Sequence, residues 1–317
     1  TVVGIDSIHK KQIYKEGALA DSAEGRLKHY EAVEANPEIA RGTLTGLKEF
    51  DRITNGLHPG ELMIIAGDTN TGKSILMHNI GVNAYLGTNN PCRITDNIRD
   101  DGKNILYFSL EMPKESIERR IDSCMGELYY MQLRDGALNE EDKERYRQII
   151  RFQMNYNKNF YVVDMPKGAT VREIELKYIE VLETRFKPDL VIVDYLGIMS
   201  KNSDLNKKSE DADWLELGQI SAELHEFARV YEVPVITGSQ VNRIKEGSKQ
   251  QHSTSRLARS SMVPNNANVI IQIACREDED TRTDMPIHII KMRDGEKGAF
   301  ILSKNFARMK VIDLIEE

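Results

Sequence analysis

The sequence is poor in cysteine and lacks long apolar runs. Its three cysteines, Cys92, Cys124 and Cys275, are widely separated among 317 residues, so they offer neither a disulfide framework nor a zinc site and fit a reducing cytosol. No window approaches the roughly 18 consecutive apolar residues that a membrane-spanning helix needs, and there is no signal-peptide pattern of a charged start and an apolar core. We therefore expect a cytoplasmic protein without a membrane partner.

An excess of positive charge is also absent. The chain has 43 Lys and Arg residues against 50 Asp and Glu residues, which gives a net charge of −7 and argues against a generally basic, nucleic-acid-binding surface. A local basic channel stays compatible with this balance, because binding follows local charge. The hydrophobic fraction of 40% and the charged fraction of 29% are typical of a globular chain, here long enough for one large domain with an appendage.

The first 41 residues differ in composition from the rest. Residues 1–34 are polar and helix-prone, with too few apolar side chains to bury a core, so we expect them to lean on another surface of this chain or of a neighbour. Residues 36–43 contain proline and glycine and are typical of a linker. This division predicts an N-terminal helical linker segment over residues 1–41 and a second unit over residues 42–317.

From residue 44 onward, short apolar segments alternate with longer amphipathic ones. The predicted strands are 62–66, 104–109, 159–163, 189–193, 233–238 and 268–274, and the predicted helices are 73–86, 114–125, 139–157, 170–186 and 212–231. The alternation indicates an α/β fold with a mostly parallel sheet flanked by helices. Thr170 and Glu173 have the spacing of a capping box. Residues 286–293 and 299–302 flank Asp-Gly-Glu-Lys-Gly and predict a C-terminal β-hairpin.

A glycine-rich segment follows the first predicted strand. It has the pattern G-x-x-x-x-G-K-S and precedes an apolar helix, the setting in which backbone N–H groups and a helix N-terminus bind phosphate. A chance glycine-rich turn is disfavoured by the strand before it and the helix after it. The pattern predicts that Lys73 reaches the β- and γ-phosphates of a nucleoside triphosphate and that Ser74 ligates Mg²⁺. The predicted nucleotide-binding residues are Gly67, Asp68, Thr69, Asn70, Thr71, Gly72, Lys73, Ser74 and Ile75.

Two acidic residues follow other predicted strands. Asp194 ends the apolar run Leu-Val-Ile-Val, and an acid at that place can orient Mg²⁺ through its water shell, although such strands also end in Asp simply because a turn follows. Glu111 follows the strand 104–109 and can polarise an attacking water, the alternative being an ordinary surface acid. Because ligand sites of open parallel sheets lie at the carboxyl ends of the strands, both acids are expected near the phosphate-binding loop.

Three further polar residues are candidates for phosphate contact. Gln240 lies at the end of the strand 233–238, where a neutral amide can sense the γ-phosphate, unless it belongs to an ordinary polar loop. Lys291 and Arg293 alternate with apolar residues on the predicted hairpin, so both cations lie on one strand face. A hairpin at the sheet edge is poorly placed to reach its own phosphate site but could reach a neighbour's. Cations on an edge strand also commonly protect against aggregation.

The chain resembles the C-terminal ATPase domain of DnaB-family replicative DNA helicases. Its segments Phe-Ser-Leu-Glu-Met-Pro (108–113), Val-Asp-Tyr-Leu-Gly (193–197), Ser-Gln-Val-Asn-Arg (239–243) and Lys-Met-Arg-Asp-Gly (291–295) follow in the family's order, and the likeness extends over residues 42–315. The resemblance implies a RecA-like P-loop ATPase core that assembles into a homo-hexameric ring with ATP and Mg²⁺ bound between subunits. The divergence favours a phage-encoded member, located in the cytoplasm of a bacterial host.

The resemblance also implies a role for each candidate residue. Lys73 and Ser74 match the phosphate and Mg²⁺ contacts, and Asp194 matches the Mg²⁺-associated acid. Glu111 matches the catalytic base and Gln240 the γ-phosphate sensor. Lys291 and Arg293 match the pair supplied by the adjacent subunit, with Arg293 as the arginine finger. An arginine supplied in this way ties hydrolysis to ring assembly.

Contact with DNA is expected in the loops that would face the centre of such a ring. The loop 243–259 has a local charge of +4, and the other loop follows residue 196. The candidate residues are Lys201, Arg243, Lys245, Lys249, Arg256 and Arg259. Both loops lack aromatic residues, so contacts with the phosphate backbone are favoured over base stacking, and a solvated loop is the alternative. Ala258, Arg259 and Ser261 depart from the family's usual residues there, which puts single contacts in doubt.

The resulting hypothesis is an ATP-dependent replicative DNA helicase that translocates on single-stranded DNA and unwinds duplex at a fork. A primase and a helicase loader are its expected partners. The alternative is an ATPase similar to RecA or KaiC, a recombinase or a nucleotide-gated assembly module without unwinding activity. Residues 88–103 form a longer connection than is usual in the family. No segment of the sequence matches the family's N-terminal helical domain, which collars the ring and meets primase, and residues 8–34 match its linker helix.

Overall fold

A computed structural model describes residues 16–87, 101–200, 210–240, 265–274 and 283–314. Within these ranges the helices are α1 (Ala23–Ala35), α2 (Lys48–Thr54), α3 (Lys73–Leu86), α4 (Lys114–Gly126), α5 (Tyr130–Arg134), α6 (Glu140–Asn155), α7 (Val171–Thr184) and α8 (Glu210–Tyr231). The strands are β1 (Leu62–Gly67), β2 (Ile105–Ser109), β3 (Phe160–Asp164), β4 (Leu190–Asp194), β5 (Val235–Gln240), β6 (Val269–Ile273), β7 (Asp284–Met292), β8 (Ala299–Asn305) and β9 (Lys310–Asp313). None of the described helices is long and apolar enough to cross a membrane.

All nine strands form one sheet in the order β3-β2-β4-β5-β1-β6-β7-β8-β9. The pairs from β3 to β6 are parallel, and the pairs from β6 to β9 are antiparallel. Every residue of β1, β2 and β4 is buried, because helices cover both faces of the parallel half. Such strands are expected to be continuous apolar runs in the sequence, and here they are.

The two faces of the sheet have separate hydrophobic cores. Alternate residues of each strand enter one core or the other, so Met63 and Ile65 pack on the side of α3 and α4, whereas Leu62 and Ile64 pack on the side of α7 and α8. In α8, the apolar residues Ile220, Leu224 and Phe227 are buried in this second core, as their helical spacing predicts.

The predicted α/β architecture is confirmed, and outside the hairpin the boundaries of the predicted strands and helices are shifted by two residues or fewer. Thr170 and Glu173 form the predicted capping box at the start of α7. The predicted hairpin is the antiparallel pair β7–β8. The sequence analysis missed three short elements, α2, α5 and β9, because runs of seven residues or fewer give too few turns or alternations to show a period.

Helix α1 has no buried residue. Its side chains Leu27 and Tyr30 are 58% and 62% exposed, and Leu19 before it is 81% exposed. By contrast, Leu47 and Phe50 in and beside α2 are fully buried in the core of the sheet. The larger apolar residues of α1, Leu27 and Tyr30, are therefore mostly uncovered within the described part of the chain, whereas Val33 is partly covered.

Asn79 ties α3 to the last strand of the sheet. Its side-chain amide donates to the carbonyl oxygen of Met309 at 2.9 Å, and its side-chain oxygen accepts from the backbone N–H of Val311 at 3.0 Å. The same amide donates to the carbonyl of Ile75, and the thiol of Cys124 in α4 donates to its oxygen. This buried side chain thereby holds the helix that follows the phosphate-binding loop against two other elements.

His78, one residue before Asn79, is a buried polar group of another kind. It is fully buried, and neither ring nitrogen has a hydrogen-bond partner. Burial, reinforced by the positive charge of Arg120, lowers the pKa of His78 from 6.5 to about 3. The folded protein therefore holds this imidazole in its neutral form.

Replacing His78 with leucine should reduce the pH dependence of stability. Because the pKa of this histidine is lower in the folded chain than in the unfolded chain, the unfolded chain binds the proton and folding stability falls as the pH drops below 6.5. Between about pH 7.5 and 5.5 this contribution amounts to about 1.4 kcal/mol of unfolding free energy. Urea unfolding of both proteins at both pH values measures it, since the difference between them cancels the other titrating groups. Equal pH dependence in the two proteins would contradict a neutral buried His78.

Candidate nucleotide-binding site

Four neighbouring parallel strands end at one edge of the sheet and bring the predicted phosphate-binding residues together. In the register of the sheet, Gly67 at the end of β1 pairs with Gln240 at the end of β5. Asp194 at the end of β4 pairs with Ser109 at the end of β2, two residues before Glu111. The sequence analysis placed functional side chains after these four strands, and the structure places them at this shared edge.

The glycine-rich segment forms a tight loop between β1 and α3. Gly72 has a φ of +94°, in the region that favours glycine, and a Cβ there would lie 2.5 Å from the ring of Phe306. Asn70 is also left-handed, with a φ of 64°. The ammonium group of Lys73 donates to the carbonyl oxygens of Gly67 and Asp68 at 3.0 and 2.7 Å. The loop therefore wraps around its own lysine and keeps that cation at the start of α3.

Ser74 and Asp194 meet beside this loop. The hydroxyl of Ser74 donates to Oδ1 of Asp194 at 3.0 Å, and the hydroxyl of Tyr107 donates to Oδ2 at 2.7 Å. Asp194 is only 2% exposed. Burial raises the pKa of the Asp194 carboxyl above its usual range, and the two hydroxyl bonds oppose that shift. The carboxylate is thus held in one orientation next to the residue predicted to ligate Mg²⁺.

A cavity of about 290 Å³ opens over the loop. Its lining includes Lys73, Ser74, Glu111 and Gln240, and the side-chain amide of Gln240 donates to the hydroxyl of Thr69 at 3.4 Å. Glu111 and Gln240 are both exposed, so their polar groups face the space that a bound ligand would fill. A cation, a carboxylate and an amide therefore converge on one cleft.

These residues fit a nucleoside triphosphate with Mg²⁺. A hydroxyl and a carboxylate within hydrogen-bonding distance of each other, beside a lysine and a helix N-terminus, are the oxygen donors and the positive charge that a metal–phosphate pair requires. No group of three or more His, Cys, Asp or Glu side chains in the described ranges could hold a metal ion by itself.

Lys291 and Arg293 lie at the opposite edge of the sheet. The backbone N–H of Arg293 donates to Asn268, whose own N–H donates to Leu62 at the start of β1. The length of β1, roughly 17 Å for its six residues, thus separates Arg293 from the phosphate-binding loop of its own chain. Both cationic side chains donate to the carbonyl oxygen of Asn265, at 3.2 and 3.4 Å, so they share one side of the strand as predicted.

A second cavity, of about 620 Å³, lies at this opposite edge. Arg293 lines it together with Arg229 and His225 of α8 and with His58 before β1. Burial and the charges of Arg293, Arg229 and Lys291 lower the pKa of His225, and burial followed by repulsion from Arg293 lowers the pKa of Lys291. Three carboxylates, those of Glu61, Glu232 and Asp294, line the same cavity, so Arg293 lies in a mixed charged environment away from the chain's own phosphate loop.

The structure adds residues that the sequence analysis missed. Arg120 of α4, Tyr195 after β4, and Phe306 between β8 and β9 also line the cavity over the loop. Arg120 lies in α4 directly before the buried Ile121, so the helical periodicity of α4 could have indicated a position near the core. Phe306 lies in a turn far along the chain, and no local sequence pattern indicates that it lines this cavity. The strand alternation that places Tyr107 on the α3 side was available in the sequence, although its contact with Asp194 was not.

The predicted DNA-contacting residues fall outside the described ranges. They are Lys201, Arg243, Lys245, Lys249, Arg256 and Arg259. Most of the long connection 88–103 also lies outside them. These expectations therefore stay predictions from the sequence.

Comparison with known proteins finds a family match over most of the chain. The family described as DnaB-like helicase C terminal domain matches residues 42–310. A protein named Replicative DNA helicase DnaB, from Buchnera aphidicola subsp. Schizaphis graminum (strain Sg), is 30% identical over 269 residues, which are 83% of this chain and 54% of that protein. A Probable replicative DNA helicase from Trieres chinensis is 28% identical over 285 residues, which are 87% of this chain and 58% of that protein. The chain thus spans little more than half the length of these relatives.

Solved structures share the fold. One described as an ATPase domain superposes with a TM-score of 0.76 at 22% identity, covering 95% of this chain and all of that one. Another, described as The Structure Of A DnaB-Like Replicative Helicase And Its Interactions With Primase, gives a TM-score of 0.73 at 21% identity, covering 98% of this chain and 70% of that one. At these identities the likeness supports the RecA-like fold predicted from the sequence.

Removing Lys73 and removing Arg293 should affect nucleotide binding differently. Lys73→Ala deletes a cation inside the phosphate cleft and should weaken binding of a fluorescent ADP analogue by about 10-fold or more, the worth of one charge-assisted hydrogen bond. Arg293→Ala deletes the same charge at the opposite edge and should leave affinity within about twofold. Fluorescence titration at protein concentrations where protomers are dispersed measures both. Equal weakening in the two variants would contradict the separation seen here.

Proposed function

Because this chain belongs to the DnaB-like helicase C-terminal domain family, whose match covers residues 42–310, we propose that it is the ATP-driven motor of a replicative DNA helicase. In this proposal residues 42–317 are the ATPase domain, which assembles as a homo-hexameric ring, translocates on single-stranded DNA and unwinds duplex at a fork. Residues 1–41 are a linker segment, and the exposed apolar side chains of α1 rest on a neighbouring subunit in the ring.

One observation carries the proposal: the residues needed for hydrolysis are divided between two edges of the molecule. The phosphate loop, Glu111 and Gln240 lie at the carboxyl edge of the sheet, whereas Arg293 lies roughly 17 Å away at the amino edge, and the side chain of Lys291 donates to the same backbone carbonyl as that of Arg293. A single copy cannot bring them to one phosphate. Two copies in head-to-tail contact can, and in this proposal the rotation between successive copies closes the repeated contact into a ring.

Each residue has a defined task in this scheme. The loop amides and Lys73 bind the phosphates, and the side-chain amide of Gln240 donates to the γ-phosphate. Glu111 accepts a proton from the attacking water, and Arg293 of the adjacent copy donates to the phosphate as negative charge builds up on it. Ser74, oriented with Asp194, would hold Mg²⁺, which when bound neutralises charge on the phosphate oxygens. An arginine supplied in this way is worth several orders of magnitude in rate.

Coupling to DNA follows from the chain order. Gln240 is the last residue of β5, and the basic segment 243–259 begins three residues later. In this proposal, loss of the contact between Gln240 and the γ-phosphate can therefore move the DNA-contacting residues, because only a short stretch of chain lies between them. Those residues, Arg243, Lys245, Lys249, Arg256 and Arg259, with Lys201 in the other loop, are suited to phosphate contacts that ignore base sequence. A helicase must travel over every sequence, so contacts of this type are what the activity requires.

Further partners are proposed from the relatives. One related structure is described with its primase interactions, and we extend a primase contact, and a loader that places the ring on DNA, to the protein in which this domain acts. These partners would meet the linker segment or residues beyond it.

Mixing two inactive variants should restore activity. Lys73→Ala lacks the lysine of the phosphate-binding loop, and Arg293→Ala lacks the arginine finger. A mixed ring nevertheless contains interfaces at which one subunit supplies Lys73 and its neighbour supplies Arg293. Equimolar mixtures should therefore hydrolyse ATP at least about 10-fold faster than either variant alone, since each intact interface regains the arginine. A phosphate-release assay measures the rate, and a Lys73→Ala, Arg293→Ala double variant mixed with Lys73→Ala is the matched control. No gain over that control would contradict a shared site.

Single-stranded DNA should stimulate hydrolysis, and the protein should unwind a forked duplex. ATPase rates with and without single-stranded DNA, and strand displacement from a labelled fork, measure the two activities. Glu111→Gln should bind ATP and assemble like the unaltered protein but lose both activities, because an amide cannot accept the proton from water. DNA-stimulated hydrolysis without unwinding would favour the recombinase or assembly-module alternative instead.

A further inference from the structure

Tyr107 occupies a place that the proposed mechanism does not use. It lies in the middle of β2 on the face that packs against α3, and its side chain is fully buried. Its ring contacts His78 at a centroid distance of 5.3 Å and Phe160 at 6.3 Å, the latter stacked at 28°. Two rings from α3 and β3 therefore fix the plane of Tyr107 and the position of its hydroxyl.

That hydroxyl is aimed at Asp194. It donates to Oδ2 at 2.7 Å, while Ser74 donates to Oδ1 at 3.0 Å, so each carboxylate oxygen receives one hydroxyl. The backbone carbonyl of Asp194 is engaged as well, by the N–H of Leu110. Both the chain and the side chain at position 194 are thus fixed, and the carboxylate has little freedom to rotate.

The two hydroxyls have different relations to a cation. Ser74 is the residue expected to ligate Mg²⁺ directly, whereas Tyr107 is buried behind Asp194 and does not line the cavity over the loop. The Tyr107 hydroxyl occupies Oδ2 and holds the carboxylate at a fixed angle, with Oδ1 directed to Ser74, the residue expected to ligate the cation; outer groups tune metal sites in this way.

We propose that Tyr107 is a positioning residue for the Mg²⁺ site, holding the Asp194 carboxylate in the orientation that favours the cation. The inference rests on the proposed function, since it takes Asp194 as the Mg²⁺-associated acid. It assigns a role to a strand residue whose aromatic character would otherwise be explained by packing alone. A packing role predicts a change in stability, whereas a positioning role predicts a change in metal affinity.

The test measures binding of Mn²⁺ to the full chain saturated with ADP, by the electron paramagnetic resonance signal of free Mn²⁺. Tyr107→Phe keeps the ring and removes the hydroxyl, and it should weaken Mn²⁺ binding by about 10- to 100-fold, as losses of such outer partners do. ADP binding in EDTA should stay within about twofold. The matched control is Tyr178→Phe, which removes another buried tyrosine hydroxyl in the core on the other face of the sheet and should leave Mn²⁺ affinity unchanged.

A double-variant cycle then tests whether Tyr107 acts through Asp194. In the Asp194→Asn protein, adding Tyr107→Phe should cause no further loss of Mn²⁺ affinity, because the carboxylate that the hydroxyl positions is already gone. Independent losses that add would overturn the inference. So would unchanged Mn²⁺ affinity in Tyr107→Phe, or weakening of ADP binding in EDTA by the same factor as Mn²⁺ binding.

If Tyr107→Phe does not fold, the hydroxyl can be observed in the unaltered protein. Nuclear magnetic resonance should show one tyrosine hydroxyl proton that is protected from exchange and is lost in Asp194→Ala, which removes both side-chain acceptor oxygens, and its absence from the unaltered protein would overturn the inference. The measurements distinguish failure of the proposed function from failure of the inference about Tyr107. If the unaltered protein binds no Mn²⁺ with ADP, the proposed nucleotide site falls and the inference falls with it. If it binds Mn²⁺ and Tyr107→Phe binds equally well, only the role of Tyr107 is lost.

Discussion

The parallel register of β2, β4, β5 and β1 is the constraint on which the candidate site depends. Parallel pairing brings the ends of these four strands into line, so that residues more than 100 positions apart in the chain meet at one edge. Each strand supplies a different chemical group there. The loop amides and Lys73 follow β1, the carboxylate of Asp194 ends β4, the carboxylate of Glu111 follows β2, and the side-chain amide of Gln240 ends β5. A slip of one residue in any pairing would turn the terminal side chain to the other face. Because both faces are packed against helices, such a slip would also exchange the side chains of the two hydrophobic cores, whose packing depends on their particular shapes.

The same sheet also separates the phosphate-binding loop from Lys291 and Arg293, which the proposed mechanism brings to one phosphate. Antiparallel pairing of β7 with β6 returns the chain toward the start of the parallel strands, and the two cations of the hairpin end beside Asn268 instead of beside the phosphate loop. Their donors meet at one backbone carbonyl, that of Asn265, in the described part of that edge. The fold thereby presents the candidate phosphate cleft at one end of the strands and the guanidinium group of Arg293 at the other. In the proposed ring, the phosphate cleft of one copy would meet Arg293 of the next.

Local patterns were sufficient to predict most of the fold. Buried strands, amphipathic helices and the glycine-rich loop each depend on residues within about 20 positions of one another, and the helix predicted at 73–86 begins and ends at those residues. The convergence of Lys73, Glu111, Asp194 and Gln240 was also predictable, because strand ends of a parallel sheet must meet. Phe306 beside Gly72 and Tyr107 behind Asp194 were not, since those contacts depend on how distant elements pack and leave no periodic trace. The roles of Lys291 and Arg293 came from family resemblance, and the structure contributes their position.

Asn79 shows how far the phosphate-binding helix is integrated with the end of the chain. Its amide is satisfied by backbone groups on both sides of Lys310, so the first two turns of α3 and strand β9 are joined by a pair of hydrogen bonds that water does not reach. Displacement of the outermost strand would remove two of the four hydrogen bonds of this buried amide, which would keep only those with Ile75 and Cys124. Strand β9, which lies farthest from β5 in the strand order on that side of the sheet, is therefore joined by buried hydrogen bonds to the helix that begins at the glycine-rich loop.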